Sequence, residues 1–364
     1  MTTQLDTPTD LQDDVEEAAG AFTGRVLADT AAAATVVMAA LGDRTGLFRS
    51  LAADGPATSA GLAGRLGLDE RYVREWLHGM HAAGYLTFDP LAQTFALPAA
   101  HVPTLAAEEG PGFFGGVHQE LLGAIQRYDD VAASFRDGGG VAFAHLHPDV
   151  ALGTARFTAA WHEHLLVPEW LPLVPDTLAL LERGCDAADV GCGAGRASIT
   201  LAKRFPASRF VGYDISPEAV AAARANARSA GVEDRVRFEV LDASQGLPQM
   251  FDVVTTFDVV HDAVAPRALL RAIREGLREG GRFLCLDISC SAETTENVGP
   301  IAALLYGFSL LYCMTTSLAE GGEGLGTLGL PEPVLRDLAT EAGFASVRRV
   351  EMDNPFNALY EVVR

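Results

Sequence analysis

Three glycines at alternate positions form the stretch with the clearest chemical meaning. Gly191, Gly193 and Gly195 follow a short apolar run and precede a helical pattern that begins at Arg196. Alternate glycines allow a tight backbone turn and the close approach of a ligand, and the first N–H groups of the following helix lack intrahelical partners. The dinucleotide fingerprint is G-x-G-x-x-G, whereas here the spacing is G-x-G-x-G and Arg196 fills the next place. The pattern therefore predicts a nucleoside site without a pyrophosphate.

Acidic residues stand at the ends of the next two predicted strands. Residues 209–215 predict a strand that ends in an acid, Asp214, 19 residues after the last glycine of the loop. In a doubly wound sheet, an acid in this place can accept hydrogen bonds from both hydroxyls of a ribose. Residues 236–243 predict a third strand with Asp242 at its carboxyl end, which suits an adenine amino group. Further strands are predicted at 251–258 and 281–287, and helices at 217–230 and 266–279.

Taken in order, these motifs resemble the class I S-adenosylmethionine-dependent methyltransferases, over roughly the C-terminal half of the chain. The resemblance implies an α/β fold with a Rossmann-like seven-stranded methyltransferase sheet, closed by an antiparallel pair at 346–352 and 357–363. It also implies S-adenosylmethionine as the cofactor, with the glycines beside its methionine portion and Asp189 orienting the ligand amine and the loop backbone. The cofactor-binding residues implied in this way are Asp189, Gly191, Gly193, Gly195, Asp214, Ile215, Asp242, Ala243, Phe257 and Asp258.

The composition is that of an acidic globular protein. The chain has 364 residues, of which 49% are hydrophobic and 21% charged, and a formal net charge of −21. Such a charge disfavours a polyanion as the main partner, because phosphate binding requires local positive charge. The five cysteines form no C-x-x-C pair, which predicts buried thiols and a cytoplasmic protein. Residues 301–319 are uncharged, but they lack basic flanks and predict a buried helix pair, not a membrane span.

The N-terminal part predicts a helical domain. Residues 1–20 are acidic and predict a mobile tail, and residues 21–105 predict a helical winged-helix domain. A helix and a glycine-containing turn are expected at residues 58–68, and a second helix at 69–83. Two wing strands are expected at 84–88 and 94–97. Over the first hundred residues there are 13 acids against 6 bases. This charge balance disfavours DNA binding, and the domain instead resembles the N-terminal dimerisation domains of many small-molecule O-methyltransferases. We expect a homodimer.

Aromatic and histidine side chains outside the sheet are candidates for the substrate pocket. Residues 106–170 predict a helical connector that forms a pocket wall, followed by the methyltransferase domain at 171–364. The candidate substrate-binding residues are Phe113, Phe114, His118, His164, Tyr306 and Tyr312. The pairs His145/His147 and His162/His164 are spaced i,i+2, which points their side chains to different faces of a helix, so no metal site is expected.

An unusually long segment, about 291–327, follows the fifth strand. It contains an apolar helical part and a glycine-rich loop at 320–326. Two interpretations stay open, a helical lid over the pocket and a second part of the dimer core, since both bury apolar faces.

One histidine is placed to act as a base. Methyl transfer is an in-line displacement, so the enzyme mainly positions the acceptor and excludes water, but a hydroxyl or N–H acceptor also benefits from a base. His261 follows the fourth strand, with Asp258 and Asp262 close in sequence as possible partners for its ring. The alternative is that His261 only packs or caps the next helix.

The whole chain is most similar to bacterial methyltransferases with an N-terminal winged-helix domain, some of which are described as transcriptional regulators. The residues that carry this resemblance are 257–262 and 312–326. It implies an enzyme that transfers a methyl group to an O-, N- or C-nucleophile of a small molecule, such as one from secondary metabolism. The alternative is a winged-helix regulator that senses S-adenosylmethionine without turnover.

Overall fold

The protein is described by a computed structural model that covers residues 8–364, without the side chains of residues 8–11 and 13. These residues form two compact units. The first runs to Glu108 and includes Gly112–His118, and the second comprises Glu109–Pro111 and Gln119–Arg364. The predicted domain boundaries at 105 and 170 stay predictions.

The first unit is a helical domain with a small β-hairpin. Its elements are α1 (Pro8–Arg44), α2 (Leu47–Asp54), α3 (Ser59–Leu66), α4 (Glu70–Ala82), β1 (Thr87–Asp89), β2 (Thr94–Ala96) and α5 (Val102–Leu105). The side chains of Thr58 and Asp69 cap α3 and α4, and β1 pairs antiparallel with β2 as the wing. The predicted winged helix is confirmed.

Helix α1 differs from the prediction at its beginning. A mobile tail was expected over residues 1–20, but the chain is helical from Pro8 onward, and residues 1–7 lie outside the described part. The helix is rich in alanine, which has the highest helix propensity. It is joined to α4 through the Trp76 indole N–H, which donates to the Met38 carbonyl oxygen at 2.8 Å.

The second unit contains the sheet and its flanking helices, except that the first turn of its first helix, residues 115–118, belongs to the first unit. From α6 onward the elements are α6 (Gly115–Ile125), α7 (Tyr128–Asp137), α8 (Asp149–His164), α9 (Pro175–Arg183), β3 (Asp186–Val190), α10 (Arg196–Arg204), β4 (Arg209–Asp214), α11 (Pro217–Ala230), β5 (Val236–Val240), β6 (Phe251–Phe257), α12 (Pro266–Gly276), β7 (Leu277–Ile288), α13 (Pro300–Phe308), α14 (Met314–Ala319), α15 (Glu332–Ala342), β8 (Ser346–Val350) and β9 (Asn357–Val363).

The seven strands lie in the order β5-β4-β3-β6-β7-β9-β8. The first five are parallel, and β9 pairs antiparallel with both β7 and β8. Apolar side chains cover both faces of the sheet and form two separate clusters with the helices, as expected when crossover helices flank parallel strands. The predicted seven-stranded fold, including its last antiparallel pair, is confirmed.

The helix predicted at 266–279 is shorter than expected. It ends at Gly276, where a Cβ would lie 2.7 Å from a methyl carbon of Leu247. Leu277 then pairs with Phe251, and the register shifts before Arg282 pairs with Val253. The fifth parallel strand therefore begins before residue 281, because tertiary pairing overrides the local helical pattern.

The long segment after β7 is bonded closely to the loop that follows β6. Helix α13 continues through a π-helical turn, Ser309–Cys313, into α14. In the following glycine-rich loop, the N–H of Glu323 donates to the Val264 carbonyl oxygen at 3.1 Å, and the Ser317 hydroxyl donates to Ala263 at 3.2 Å. The segment thus forms a wall beside residues 261–264; its predicted roles as lid or dimer core stay predictions.

Two helical stretches, Asp14–Arg44 and Pro300–Ala319, are long and apolar enough to cross a membrane by length and composition. The second is 44% buried within the structure and packs through Ala302 and Leu305 in a small apolar cluster with Ile288. Core helices of soluble proteins have the same properties, so neither stretch by itself indicates a membrane span.

Candidate active site

The predicted cofactor residues meet at one edge of the sheet. Because β3, β4, β5 and β6 are parallel, their carboxyl ends lie side by side. From β3 the chain turns to β4 on one side, while β6 lies on the other. This is the topological switch point, where open α/β sheets form a crevice for ligands.

The glycine loop follows β3 directly. Gly191, Gly193 and Gly195 all have positive φ, of 71°, 51° and 77°, which favours glycine over other residues. A Cβ on Gly191 would lie 2.5 Å from Val259, whereas one on Gly193 would meet open space. The loop is therefore packed from beneath and open above Gly193, where a ligand can approach the backbone.

The carboxylate of Asp214 holds this loop. Its Oδ2 accepts a hydrogen bond from the N–H of Gly193 at 2.8 Å, and its Oδ1 accepts one from Ser216 at 2.9 Å. Burial raises the pKa of Asp214, and the hydrogen bonds from Ser216, Gly193 and Ile215 oppose that rise. Each carboxylate oxygen retains acceptor capacity, so Asp214 fits a ribose. The neighbouring Ile215 side chain is 66% exposed and can cover an adenosine.

Asp189 lies beneath the loop. It is buried and accepts hydrogen bonds from Ser198 at 2.7 Å and from Thr255 at 3.0 Å. Burial raises its pKa to about 6. Asp189 thus joins α10 to β6 and stabilises the loop backbone; its predicted contact with a ligand amine stays a prediction.

Asp242 and Ala243 follow β5 beside Asp214. The N–H of Leu241 donates to the Asp214 carbonyl oxygen at 2.9 Å. Asp242 is exposed and caps a short 3-10 helix by accepting from Ser244 at 3.0 Å. Ala243 is buried. The predicted contact of these two residues with an adenine stays a prediction.

Phe257 and Asp258 form the opposite side of the crevice. Asp258 adopts φ 56°, an uncommon conformation for a residue other than glycine. Its Oδ1 accepts from the Asn357 side-chain amide at 2.5 Å. Burial and the charge of Asp287 raise the pKa of Asp258 to about 7. Such strain and buried charge are typical of functional sites.

His261 is buried between two carboxylates. Its Nδ1 lies 2.6 Å from Oδ1 of Asp287, and its Nε2 lies 3.2 Å from Asp262. Burial lowers the pKa of His261, but the two carboxylates outweigh burial and raise it well above its ordinary value. The expected partner Asp262 is present, whereas Asp258 bonds Asn357 instead. The principal partner, Asp287, was missed because it lies 26 residues away on another strand.

One group of side chains in the described part of the chain could hold a metal ion. The ligand atoms of His261, Asp262 and Cys313 lie within 4.8 Å of one another. Both imidazole nitrogens already face carboxylates, and burial raises the pKa of the Cys313 thiol to about 12, which keeps it protonated. The prediction that the protein has no metal stays a prediction.

The candidate substrate residues belong to both units. In the first unit, Phe113 is buried, and the Phe114 ring lies 5.8 Å from that of His118. In the second unit, Tyr312 interacts electrostatically with Asp262. Tyr306 is 43% exposed.

His164 is exposed, and its Nε2 lies 2.7 Å from the Glu109 carbonyl oxygen. The structure instead directs His162, two residues earlier, at Phe257; the ring centroids are 5.0 Å apart.

Glu120 is a further residue that the sequence did not single out. It lies on α6, is 9% exposed, and interacts electrostatically with Asp262 and Asp258. Burial raises its pKa to about 8, although a hydrogen bond with Thr154 opposes the rise. Glu120 is therefore largely protonated at neutral pH. The sequence shows only a helical acid, which is usually exposed.

We predict that Glu120→Gln makes the protein more stable at alkaline pH. The folded-state pKa of about 8 lies above the ordinary value of 4.5, so wild-type stability is full below about pH 4.5 and declines as pH rises to about 8. Gln carries no charge and therefore abolishes this decline. At alkaline pH the free energy of unfolding should rise by up to a few kcal/mol, at about 1.4 kcal/mol per pKa unit. Urea unfolding from pH 5 to pH 9 measures the difference. The exposed Glu163→Gln is the control, and equal curves for wild type and Glu120→Gln would contradict the assignment.

Comparison with known proteins supports this geometry. A family model described as a methyltransferase domain matches residues 181–306, and one described as an Rv2258c-like winged HTH domain matches residues 33–107. The ubiquinone biosynthesis O-methyltransferase of Methylobacterium sp. (strain 4-46) is 28% identical over 166 residues, which cover 45% of this chain and 62% of that protein. The chain thus spans less than two thirds of that relative.

Solved structures resemble the whole chain. A putative O-methyltransferase from Nostoc punctiforme PCC 73102 superposes with a TM-score of 0.69 at 18% identity, covering 99% of this chain and 100% of that one. The structure of PigF with SAH gives a TM-score of 0.65 at 21% identity, with 97% and 99% covered. At these identities the likeness shows the fold alone. Together with the two family models and the strand order, it shows a methyltransferase domain with the seven-stranded class I fold, preceded by an Rv2258c-like winged-helix domain.

Proposed function

We propose that this protein transfers a methyl group from S-adenosylmethionine to a small-molecule acceptor. The observation that carries the proposal is the pairing of Gly193 with the Asp214 carboxylate at the switch point, beneath open space. An open backbone loop beside a strand-end acid fits a nucleoside, and the G-x-G-x-G spacing, in place of G-x-G-x-x-G, favours one without a pyrophosphate. A relative named as an O-methyltransferase and a neighbour that holds SAH support the same ligand.

Different residues bind different parts of the cofactor. Asp214 accepts from the ribose hydroxyls, Asp242 and Ala243 meet the adenine, and the glycine loop receives the methionine portion. When bound, S-adenosylmethionine supplies an electrophilic methyl group on a sulfonium. Phe257 and Asp258 then lie at the reacting end, where Phe257 excludes water and an ionised Asp258 offsets positive charge.

His261 receives the proton of the acceptor. At neutral pH its ring is charged, because Asp262 and Asp287 raise its pKa, so it accepts a proton only in the fraction of molecules in which it is neutral. Asp262, with 25% of its side chain exposed, lies against Nε2 and is the path by which the proton reaches the ring. Asp287 is a positioning residue that holds Nδ1.

The first unit forms a homodimer through α1. Its exposed large apolar residues recur at helical spacing and lie within a stripe about 140° wide. These residues are Val15, Phe22, Val26, Leu27, Val37 and Leu41. Between residues 14 and 44 the helix has five acids and two arginines, which disfavours an anionic membrane or DNA as the cover. A second copy buries the stripe against an identical one.

The regulator alternative is weaker. On α4, the candidate recognition helix, Arg71 pairs with Glu75 and Arg74 pairs with Glu70. These carboxylates already neutralise the cations that DNA phosphates require. We therefore favour a cytoplasmic enzyme, with the five free cysteines consistent with a reducing compartment.

Asp214→Ala is expected to weaken binding of S-adenosylmethionine and of its demethylated product at least tenfold, because one good charged hydrogen bond contributes about 1.5 kcal/mol or more. Calorimetry measures the affinities and also tests NAD, which is expected not to bind. The control Glu218→Ala removes an equal charge from the exposed first turn of α11. Tight NAD binding, or equal affinities for both variants, would overturn the assigned cofactor site.

His261→Ala is expected to keep cofactor affinity and to lose about a hundredfold in single-turnover methylation. Wild-type turnover should rise with pH through the neutral range, because the pKa of His261 is raised and the fraction of neutral rings grows with pH. The variant should lose this dependence. Radiolabelled S-adenosylmethionine and a library of cell-extract metabolites identify the acceptor. The exposed His145→Ala is the control. Near-normal turnover of His261→Ala would show that the ring is structural.

Val26→Glu is expected to convert the dimer to a monomer, because it places a charge in the apolar stripe of α1. Light scattering measures the mass in solution. Ala28→Glu adds the same charge to an exposed position on the opposite face of the helix, about 200° away, and should remain dimeric. A monomeric wild type would exclude the proposed interface.

A further inference from the structure

A second histidine lies beside Phe257, and the inference about its role rests on the proposed methyl transfer. His162 and His164 are both on α8, but only His162 turns inward. Its ring meets the Phe257 ring edge-to-face, with an interplanar angle of 63°. Phe257 ends β6 and precedes Asp258, so His162 lies close to the predicted sulfonium position.

The surroundings of the ring determine where its proton lies. Nδ1 of His162 is shielded from solvent and has no hydrogen-bond partner among the described residues. His162 as a residue is half-buried, and Nδ1 is its only ring nitrogen among the buried side-chain atoms that lack a partner in the described part of the chain. Burial lowers the pKa of His162 to about 4, which leaves the ring neutral at physiological pH. A neutral imidazole has one N–H, and placing it on Nδ1 would bury an unpaired donor at a cost of about 1–3 kcal/mol. The proton therefore belongs on Nε2.

The neutral His162 ring offers a donor that carries no charge. Asp258, whose pKa is about 7, donates only in its protonated fraction, and when ionised it accepts hydrogen bonds and repels an anionic acceptor. His261 is charged, and both of its nitrogens already face carboxylates. An N–H at Nε2 of His162 therefore suits an oxygen of an uncharged acceptor.

We propose that His162 binds the methyl acceptor by donating its Nε2–H to an oxygen of an uncharged acceptor, next to the hydroxyl that is methylated. The acceptor hydroxyl gives its proton to His261 by way of Asp262, and its oxygen forms the bond to the methyl carbon. The sulfur–methyl bond breaks, and its electrons stay on sulfur. His162 keeps its proton throughout. It orients the acceptor and selects for a neighbouring oxygen.

The first test requires no acceptor. In protein labelled with 15N-histidine, and with S-adenosylhomocysteine bound, the His162 signals should show the Nε2–H tautomer unchanged from pH 5.5 to pH 8.5. The signals are assigned by their loss in His162→Phe. A proton on Nδ1, or titration near the ordinary pKa, would overturn the inference. Failure of S-adenosylhomocysteine to bind would instead refute the proposed function.

The second test compares catechol, which has a neighbouring oxygen, with phenol, which lacks one. Wild type is expected to prefer catechol about tenfold in kcat/KM, the effect of one net hydrogen bond. His162→Gln places an amide N–H near Nε2 and should keep the preference, whereas His162→Asn and His162→Phe should lose it. His164→Phe, on the exposed face, should behave as wild type.

The variants also separate binding from stability. His162→Phe removes an unpaired buried nitrogen and keeps an aromatic ring against Phe257, so its Tm should equal or exceed that of wild type. If His162→Phe does not fold, the contrast between His162→Gln and His162→Asn decides the question. Equal preferences in these two variants, or no catechol turnover in a protein that binds S-adenosylhomocysteine, would refute the proposed acceptor contact.

Discussion

The crevice depends on the parallel pairing of β3 with β4 and β6. Parallel strands end together, so residues far apart in the chain are brought to one edge without long loops. The N–H groups of Gly191 and Cys192 both donate to the Tyr213 carbonyl oxygen, at 2.8 and 3.0 Å. The loop after β3 is thereby fastened to the end of β4, and the side chain of Asp214 completes the connection. Binding geometry here follows directly from sheet geometry.

Buried carboxyl groups distinguish this edge from the rest of the sheet. Moving an ionised carboxylate out of water is costly unless it is paired or hydrogen-bonded. Asp189 offsets this cost by accepting two hydrogen bonds from hydroxyl groups. Asp287 offsets it by pairing with His261 and by accepting from two backbone N–H groups. Glu120 and Asp258 have strongly raised pKa values instead. The crevice therefore combines charged and neutral acids, a mixture that supports both cation binding and proton transfer.

The helical segments contribute packing more than charge. In the second unit, the glycine-rich loop after α14 approaches the backbone so closely that a Cβ on Gly322 would lie 2.5 Å from the Val264 carbonyl oxygen. That contact supports the loop carrying His261 from behind. In the first unit, the arginines of α4 are engaged by neighbouring acids, and the long α1 exposes apolar side chains. Both features disfavour DNA as the partner of the winged-helix domain, in keeping with its acidic charge.

The sequence alone determined the strands, the glycine loop and the positions of Asp214 and Asp242, because these signals are local. Apolar runs, glycines and strand-end acids keep their meaning within a few residues, and a parallel sheet then dictates where they meet. Helix ends depend on tertiary pairing: α12 stops at Gly276 because Leu277 pairs with Phe251 of β6.

Only the tertiary structure decided which side chains face one another. Asp287 reaches His261 from β7, and no local pattern links them. His162 and His164 are equivalent by spacing on α8, and packing alone turns the first toward Phe257 and leaves the second exposed. Glu120 is likewise an ordinary helical acid until burial raises its pKa. Desolvation and charge pairing depend on all the neighbours of a group in space, which the sequence does not specify.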